Sequence, residues 1–163
     1  MRKFVLFAVS CAALAVGLGC KSATKDKEFF TASLQGANEV PARATGASGT
    51  ASFVIDGRTV FYTIEVDGTT TSAITAAHIH SGAAGVNGPV RVGFFPPPGG
   101  PATVTTNGST ILVQGSWTDA DVTGISPDAL LAEMRAGNAY ANVHTTTFPG
   151  GEIRGQLQKL TVD

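Results

Sequence analysis

With 163 residues, the chain has room for one domain of ordinary size with a real hydrophobic core. Eleven Lys and Arg against twelve Asp and Glu give a net charge of −1, and no basic stripe is present, so a phosphate-neutralising nucleic-acid surface is excluded. Charged residues are sparse at 14% while Gly, Thr, Ala and Val are plentiful, a composition that fits an all-β domain.

Residues 1–20 read as a secretory signal. Arg2 and Lys3 supply a positive start, and Phe4 to Leu18 is an apolar run broken only by Ser10 and Gly17. The run is too short and too weakly flanked for a transmembrane helix. It ends Val16-Gly17-Leu18-Gly19-Cys20, which resembles the bacterial lipoprotein processing box, where cleavage before a cysteine leaves that thiol to be acylated. The family favours Leu three residues before the cysteine; here Gly17 holds that place and Leu18 stands two before. The resemblance implies lipidation of Cys20, attachment to a membrane through a lipid anchor, and a place in the bacterial cell envelope. The only other cysteine, Cys11, lies inside the apolar run, so the exported part has no pair with which to form a disulfide. An unacylated Cys20 would be a lone thiol in an oxidising compartment, which is disfavoured. Without Arg2 and Lys3, nine basic residues face twelve acidic ones. Residues 21–28 are polar and aperiodic and read as a tether.

From residue 29 to 163, short β-type runs alternate with turn signals. Phe30, Ala32 and Leu34 alternate with Thr31 and Ser33 in a first strand, and Gly36 to Gly49, with Pro41, reads as a long loop or irregular edge. Ala51, Phe53 and Ile55 lead to Asp56-Gly57, a hairpin signal of type I′, and Val60, Tyr62, Ile64 and Val66 return. A strand near Ile74 to His80 is followed by the Gly-rich loop Ser81 to Pro89, a strand near Val90 to Phe95, and Pro96 to Pro101, which cannot continue a ladder. Asn107-Gly108 marks a further tight turn before Ile111, Val113 and Trp117. One helix interrupts the pattern: Ser126 is the N-cap, Pro127 the first helical residue, Leu130, Leu131 and Met134 the apolar stripe, and Gly137 the stop. Strands over about Ala139 to Thr145 and Glu152 to Leu160, joined by Phe148-Pro149-Gly150-Gly151, close the domain. The spacing predicts an antiparallel Greek-key sandwich or flattened barrel with one short helix.

All three histidines fall in two short segments, Ala77-His78-Ile79-His80-Ser81-Gly82 and Tyr140-Ala141-Asn142-Val143-His144-Thr145. An H-x-H pair on a strand puts both imidazoles on one face, and a third from a distant strand would complete a three-nitrogen site for zinc or copper. Alternation places Ile74, Ala76, His78 and His80 on one face and Thr75, Ala77 and Ile79 on the other, without saying which is buried. A structural reading stands level with the metal reading: His78 and His80 could donate to carbonyls of the Gly-rich loop instead.

These two segments, with Gly85, Gly88 and Pro89-Val90 in the first and Phe148-Pro149-Gly150-Gly151-Glu152-Ile153-Arg154-Gly155-Gln156 after the second, resemble the signature blocks of the CHRD domain, named from chordin and widespread in bacterial exported proteins. The resemblance covers about Phe29 to Leu160. It implies a binding or interaction module rather than a defined activity. The histidines also resemble, more distantly, the copper site of copper–zinc superoxide dismutases, Greek-key β-sandwich proteins with an H-x-H pair and a later histidine. A metal-bridging histidine, a zinc loop and an intramolecular disulfide are missing, so that likeness implies a copper-only site at His78, His80 and His144.

Two functions follow as expectations: a lipid-anchored cell-envelope binding module holding a metal, copper if any, and as the alternative a copper-dependent redox enzyme. The first is preferred, because no charged funnel for an anionic substrate is visible, and the partner, protein or small molecule, is left open. No G-x-S-x-G elbow is present, so hydrolase chemistry has no visible nucleophile. Glu152 and Arg154 read as surface charges of little energetic weight. Gly82 to Gly88 lacks the following helix of a phosphate loop and reads as a turn. Asp119 and Asp121 lack a closing Glu for a calcium loop, Leu130 standing there, and read as acids at the helix N-terminus.

Overall fold

A computed structural model describes residues 27–67, 73–95, 103–107 and 110–161. The signal segment, Cys20, most of the tether, the proline-rich stretch 96–101 and Gly108 lie outside the described residues.

The elements run β1 (Glu28–Gln35), β2 (Ser48–Asp56), β3 (Thr59–Asp67), β4 (Ile74–Ser81), β5 (Val90–Phe95), β6 (Thr103–Asn107), β7 (Thr110–Trp117), α1 (Pro127–Arg135), β8 (Ala139–Thr145), β9 (Ile153–Gln156) and β10 (Gln158–Leu160). The strands form one sheet in the order β5-β4-β8-β9-β1-β2-β3-β7-β6, with β10 pairing β1 off this path. Every pairing is antiparallel. The all-β expectation is borne out: the sheet curls into a nearly closed barrel. Its curl brings β5 against β3, where the Tyr62 hydroxyl donates to the Phe94 carbonyl at 3.1 Å. The Phe94 ring lies 4.6 Å from Tyr62 and 5.7 Å from Phe53.

The interior follows from the period of two. Phe30, Ala32 and Leu34 of β1, Ala51, Phe53 and Ile55 of β2, and Val60, Tyr62, Ile64 and Val66 of β3 are buried, while Ser33, Thr50 and Ser52 between them are exposed or half-buried. Each large apolar side chain withdrawn from water contributes roughly 1.5–3 kcal/mol. Helix α1 packs Leu130, Leu131 and Met134 into the same core. Its N-cap is the expected one, with Ser126 Oγ accepting from the Ala129 amide at 3.2 Å, and Gly137 follows it at φ +72°.

Four expectations are corrected. The β2–β3 hairpin pairs Asp56 with Thr59, so its central residues are Gly57 and Arg58. Gly57 has φ +64° and among the described residues no non-glycine residue, Arg58 included, has positive φ, which is the pattern of a type II′ turn rather than I′. The last strand is two strands: β9 pairs β8, β10 pairs β1, and between them buried Leu157 sends its amide to the Ala139 carbonyl at 2.9 Å. The chain changes neighbours there, which a run of alternating residues does not announce. Asp119 and Asp121 do not sit on α1. They form their own 3-10 turn, in which the Asp121 carboxylate accepts from the Thr118 amide at 2.8 Å, and Asp119 accepts from Arg58 at 2.6 Å. The acid in the first turn of α1 is Asp128. The fourth correction concerns Glu152 and Arg154, which are buried, and belongs with the site below.

Candidate metal centre

Strand β4 turns Ala77 and Ile79 into the core, both fully buried, and so sends His78 and His80 outward. Strand β8 lies beside it with Ala76 opposite His144, His78 opposite Asn142 and His80 opposite Tyr140. The outward face of two adjacent strands therefore carries all three imidazoles. On its other side, β4 pairs β5 with register shifts on both sides of the His78-Ile79 step, irregularities of the kind that re-aim side chains beside functional sites.

The three rings converge. One ring nitrogen from each lies within 4.8 Å of the others. His78 Nδ1 is 3.0 Å from His144 Nε2, and the centroids of these two rings are 4.8 Å apart. His80 stacks on Tyr140 at 4.8 Å with planes 10° apart.

Backbone carbonyls fix the tautomers. His80 Nδ1 is 2.9 Å from the Gly88 carbonyl and His144 Nδ1 is 2.9 Å from the Pro149 carbonyl. A carbonyl oxygen only accepts, so both Nδ1 atoms carry hydrogen and both Nε2 atoms of the neutral rings present lone pairs. His144 Nε2 then accepts from His78 Nδ1–H. His80 Nε2 is buried and has no hydrogen-bond partner among the described residues. Such an orphan is costly to bury and calls for a reason. Nδ1–H held by a carbonyl with Nε2 aimed inward is the arrangement that orients histidine ligands around metals.

Burial lowers the pKa of all three histidines: His78 to about 4, with the neighbouring imidazoles adding to the effect, and His80 and His144 in the same direction. The imidazoles are thus neutral at pH 7, the state a metal needs. Because a depressed pKa means that the unfolded chain takes up protons first, metal-free protein should lose stability as pH falls from about 6.5 towards 4, with His78 contributing on the order of 2–3 kcal/mol. Melting of wild type and His78→Gln over that range checks this, since the variant should show the shallower slope. Glu28, held near 2 chiefly by Arg135, acts below this window, and Glu39, raised by burial, acts with the opposite sign.

Two coverings turn an outward face into a half-buried site. The Gly-rich loop folds back so that the Ser81 amide reaches the Pro89 carbonyl at 3.1 Å and the Gly88 amide reaches the Tyr140 hydroxyl at 3.1 Å. The Phe148–Gly151 turn presents Pro149 to His144, its base held by Thr145, whose hydroxyl donates to Glu152 at 2.7 Å. Glu152 is 0% exposed and also accepts from Thr45 at 2.6 Å. Arg154 is 4% exposed, donates through Nε to the Asn38 carbonyl at 2.7 Å, faces the Glu39 carboxylate at 3.6 Å, and lies 4.8 Å from the centroid of the Tyr140 ring. Asn142, buried beside His78 in the register, donates to Glu39. Alternation puts Glu152 and Arg154 outward, as expected, but the loops above them remove the water. The Glu39–Asn142–Arg154 cluster and the two carbonyls had no sequence signal beyond the Gly-Pro and Pro-Gly steps beside them.

The family model for the CHRD domain matches residues 30–157. The chain belongs to the CHRD-domain family. No curated protein and no solved structure matches it. In this CHRD domain the two histidine segments meet on adjacent strands, and each is followed by the turn that supplies the carbonyl to one of its histidines.

Proposed function

We propose that this protein is a lipid-anchored CHRD-domain binding module of the cell envelope that holds a copper ion through His78, His80 and His144. The observation that carries the metal reading is His80 Nε2, buried without a partner among the described residues in a ring whose centroid lies 5.7 and 6.2 Å from those of His78 and His144, with Nδ1 of His80 and of His144 tied to backbone carbonyls. An ion would take the place of the proton now shared between His78 and His144. Metal–nitrogen bonds near 2.0 Å place ligand nitrogens roughly 3.3 Å apart in a tetrahedral site, so the present separations of up to 4.8 Å must close by rotamer adjustment. Three imidazoles favour Cu(II) over the other divalent first-row ions. Calorimetric titration of the full chain with Cu(II), Zn(II) and Ni(II) tests the reading: copper should bind tightest at one ion per chain, and no binding above the level of the His78→Ala, His80→Ala double variant would overturn it.

The anchor rests on Cys20 at the end of the apolar run, with no other cysteine after it. Two or more acyl chains give stable membrane attachment. Cys20→Ser should therefore move the protein from the membrane fraction to a soluble or unprocessed form, and wild-type protein carrying no lipid mass would sink the anchor.

A second reading, a copper-dependent redox enzyme, is favoured by the partial exposure of His78 and His144, which leaves one side of the imidazole cluster open to a small oxidant. Copper-loaded protein that dismutes superoxide no faster than its His144→Ala variant would remove it.

A further inference from the structure

A groove lined in part by Arg154 includes none of the three histidines. This open groove of about 710 Å³ runs over the outer face of β1, β2 and the chain end, within the range of small-molecule sites, roughly 300–1,000 Å³. Its floor is set by register: Ser33 stands opposite Thr50, and Thr31 opposite Gln158, so four short polar side chains form one contiguous patch. Asn38, in the turn after β1, also lines it, as does Arg154, whose guanidinium lies over the Tyr140 ring that stacks on His80.

The chemistry of this lining is that of neutral hydrogen bonding. Hydroxyls and side-chain amides both donate and accept. The only charged groups in the lining, Glu39 and Arg154, face each other at 3.6 Å and cancel. Arg154 is nine-tenths buried or more, and its Nη2 has no acceptor among the described residues, although Nε reaches the Asn38 carbonyl and Nη1 the Val86 carbonyl at 3.3 Å. An anionic ligand would find no net positive charge here, and an apolar one would leave the hydroxyls unpaired, which costs affinity. A ligand dense in hydroxyls satisfies the patch.

We infer that this groove binds neutral saccharide units. It is independent of the metal reading, so the failure of one does not touch the other. The test uses the full chain in a zwitterionic detergent without a sugar headgroup, titrated with neutral tetramers of hexose and of N-acetylhexosamine, and with a hexuronic acid tetramer as the anionic arm. At least one neutral tetramer should bind with Kd of about 1 mM or tighter. Thr50→Arg, on an exposed strand position, should fill the groove and weaken that binding at least about tenfold, with its melting temperature and copper titration unchanged. Ser33→Arg, on the adjacent position, should do the same if Thr50→Arg disturbs the fold. Absence of binding to every neutral tetramer, binding indifferent to both arginine variants, or preference for the acidic tetramer would each overturn the inference, the last by assigning the groove to the charge of Arg154.

Discussion

Gly88→Ala should cost the domain about 3 kcal/mol or more, enough to lower its melting temperature by roughly 10 °C. The reason is a contact, since a Cβ at this position would stand 1.5 Å from the Ser81 carbonyl oxygen, and that neighbour is backbone. The Gly-rich loop has to open to admit a methyl group, breaking the bond from the Ser81 amide to the Pro89 carbonyl and the one from the Gly88 amide to Tyr140. Opening also carries away the Gly88 carbonyl that orients His80, so copper affinity should fall along with stability. Differential scanning fluorimetry reads the first effect and calorimetry the second. A variant melting within about 2 °C of wild type would show that the loop does not approach this closely.

His144→Ala should lower copper affinity by at least about 100-fold, because it removes one of the three proposed ligands and leaves two on a single strand. The substitution removes only a half-buried ring, so folding should survive it. Ser52→Ala serves as the control: it lies at an exposed position of β2, touches no histidine segment, and its affinity should stay within a few-fold of wild type. With all three pKa values lowered by burial, wild-type affinity should stay level down through the ordinary histidine range and decline only as pH falls to the lowered values, about 4 for His78. A His144→Ala protein that binds copper like wild type would end the three-histidine reading.

What depends on nearest neighbours in the chain was readable in advance. The caps and apolar stripe of α1, the alternation of β1 to β3 and the H-x-H geometry of β4 are set within a few residues, and they stand as expected. The meeting of His144 with His78 is an expectation from the H-x-H strand and a third histidine on a distant strand, and it needs the β4–β8 register to become a distance. The burial of Glu152 and Arg154 was misjudged for the same kind of reason. Period-two reasoning assigns a face to each residue, but only the path of distant loops decides whether that face meets water. The turn at Gly57 was mistyped because a dipeptide signal does not say which two residues are central, and that follows from the partner of Asp56 across the hairpin.

Strands β9 and β10 have a temporal meaning as well as a spatial one. β9 binds the strand that carries His144, β10 binds the strand that opens the domain, and the direct seam between β9 and β1 is a single residue pair, Gln35 with Arg154. Strands β1, β2, β3, β7 and β6 can assemble as a meander of neighbours, and β5, β4 and β8 as a second group, and among the described residues the strand pairing that joins the two groups runs through residues 153–160. The pairing that brings the two groups into one sheet therefore forms only once residues 153–160 are in place, which puts it among the late, non-local steps of folding.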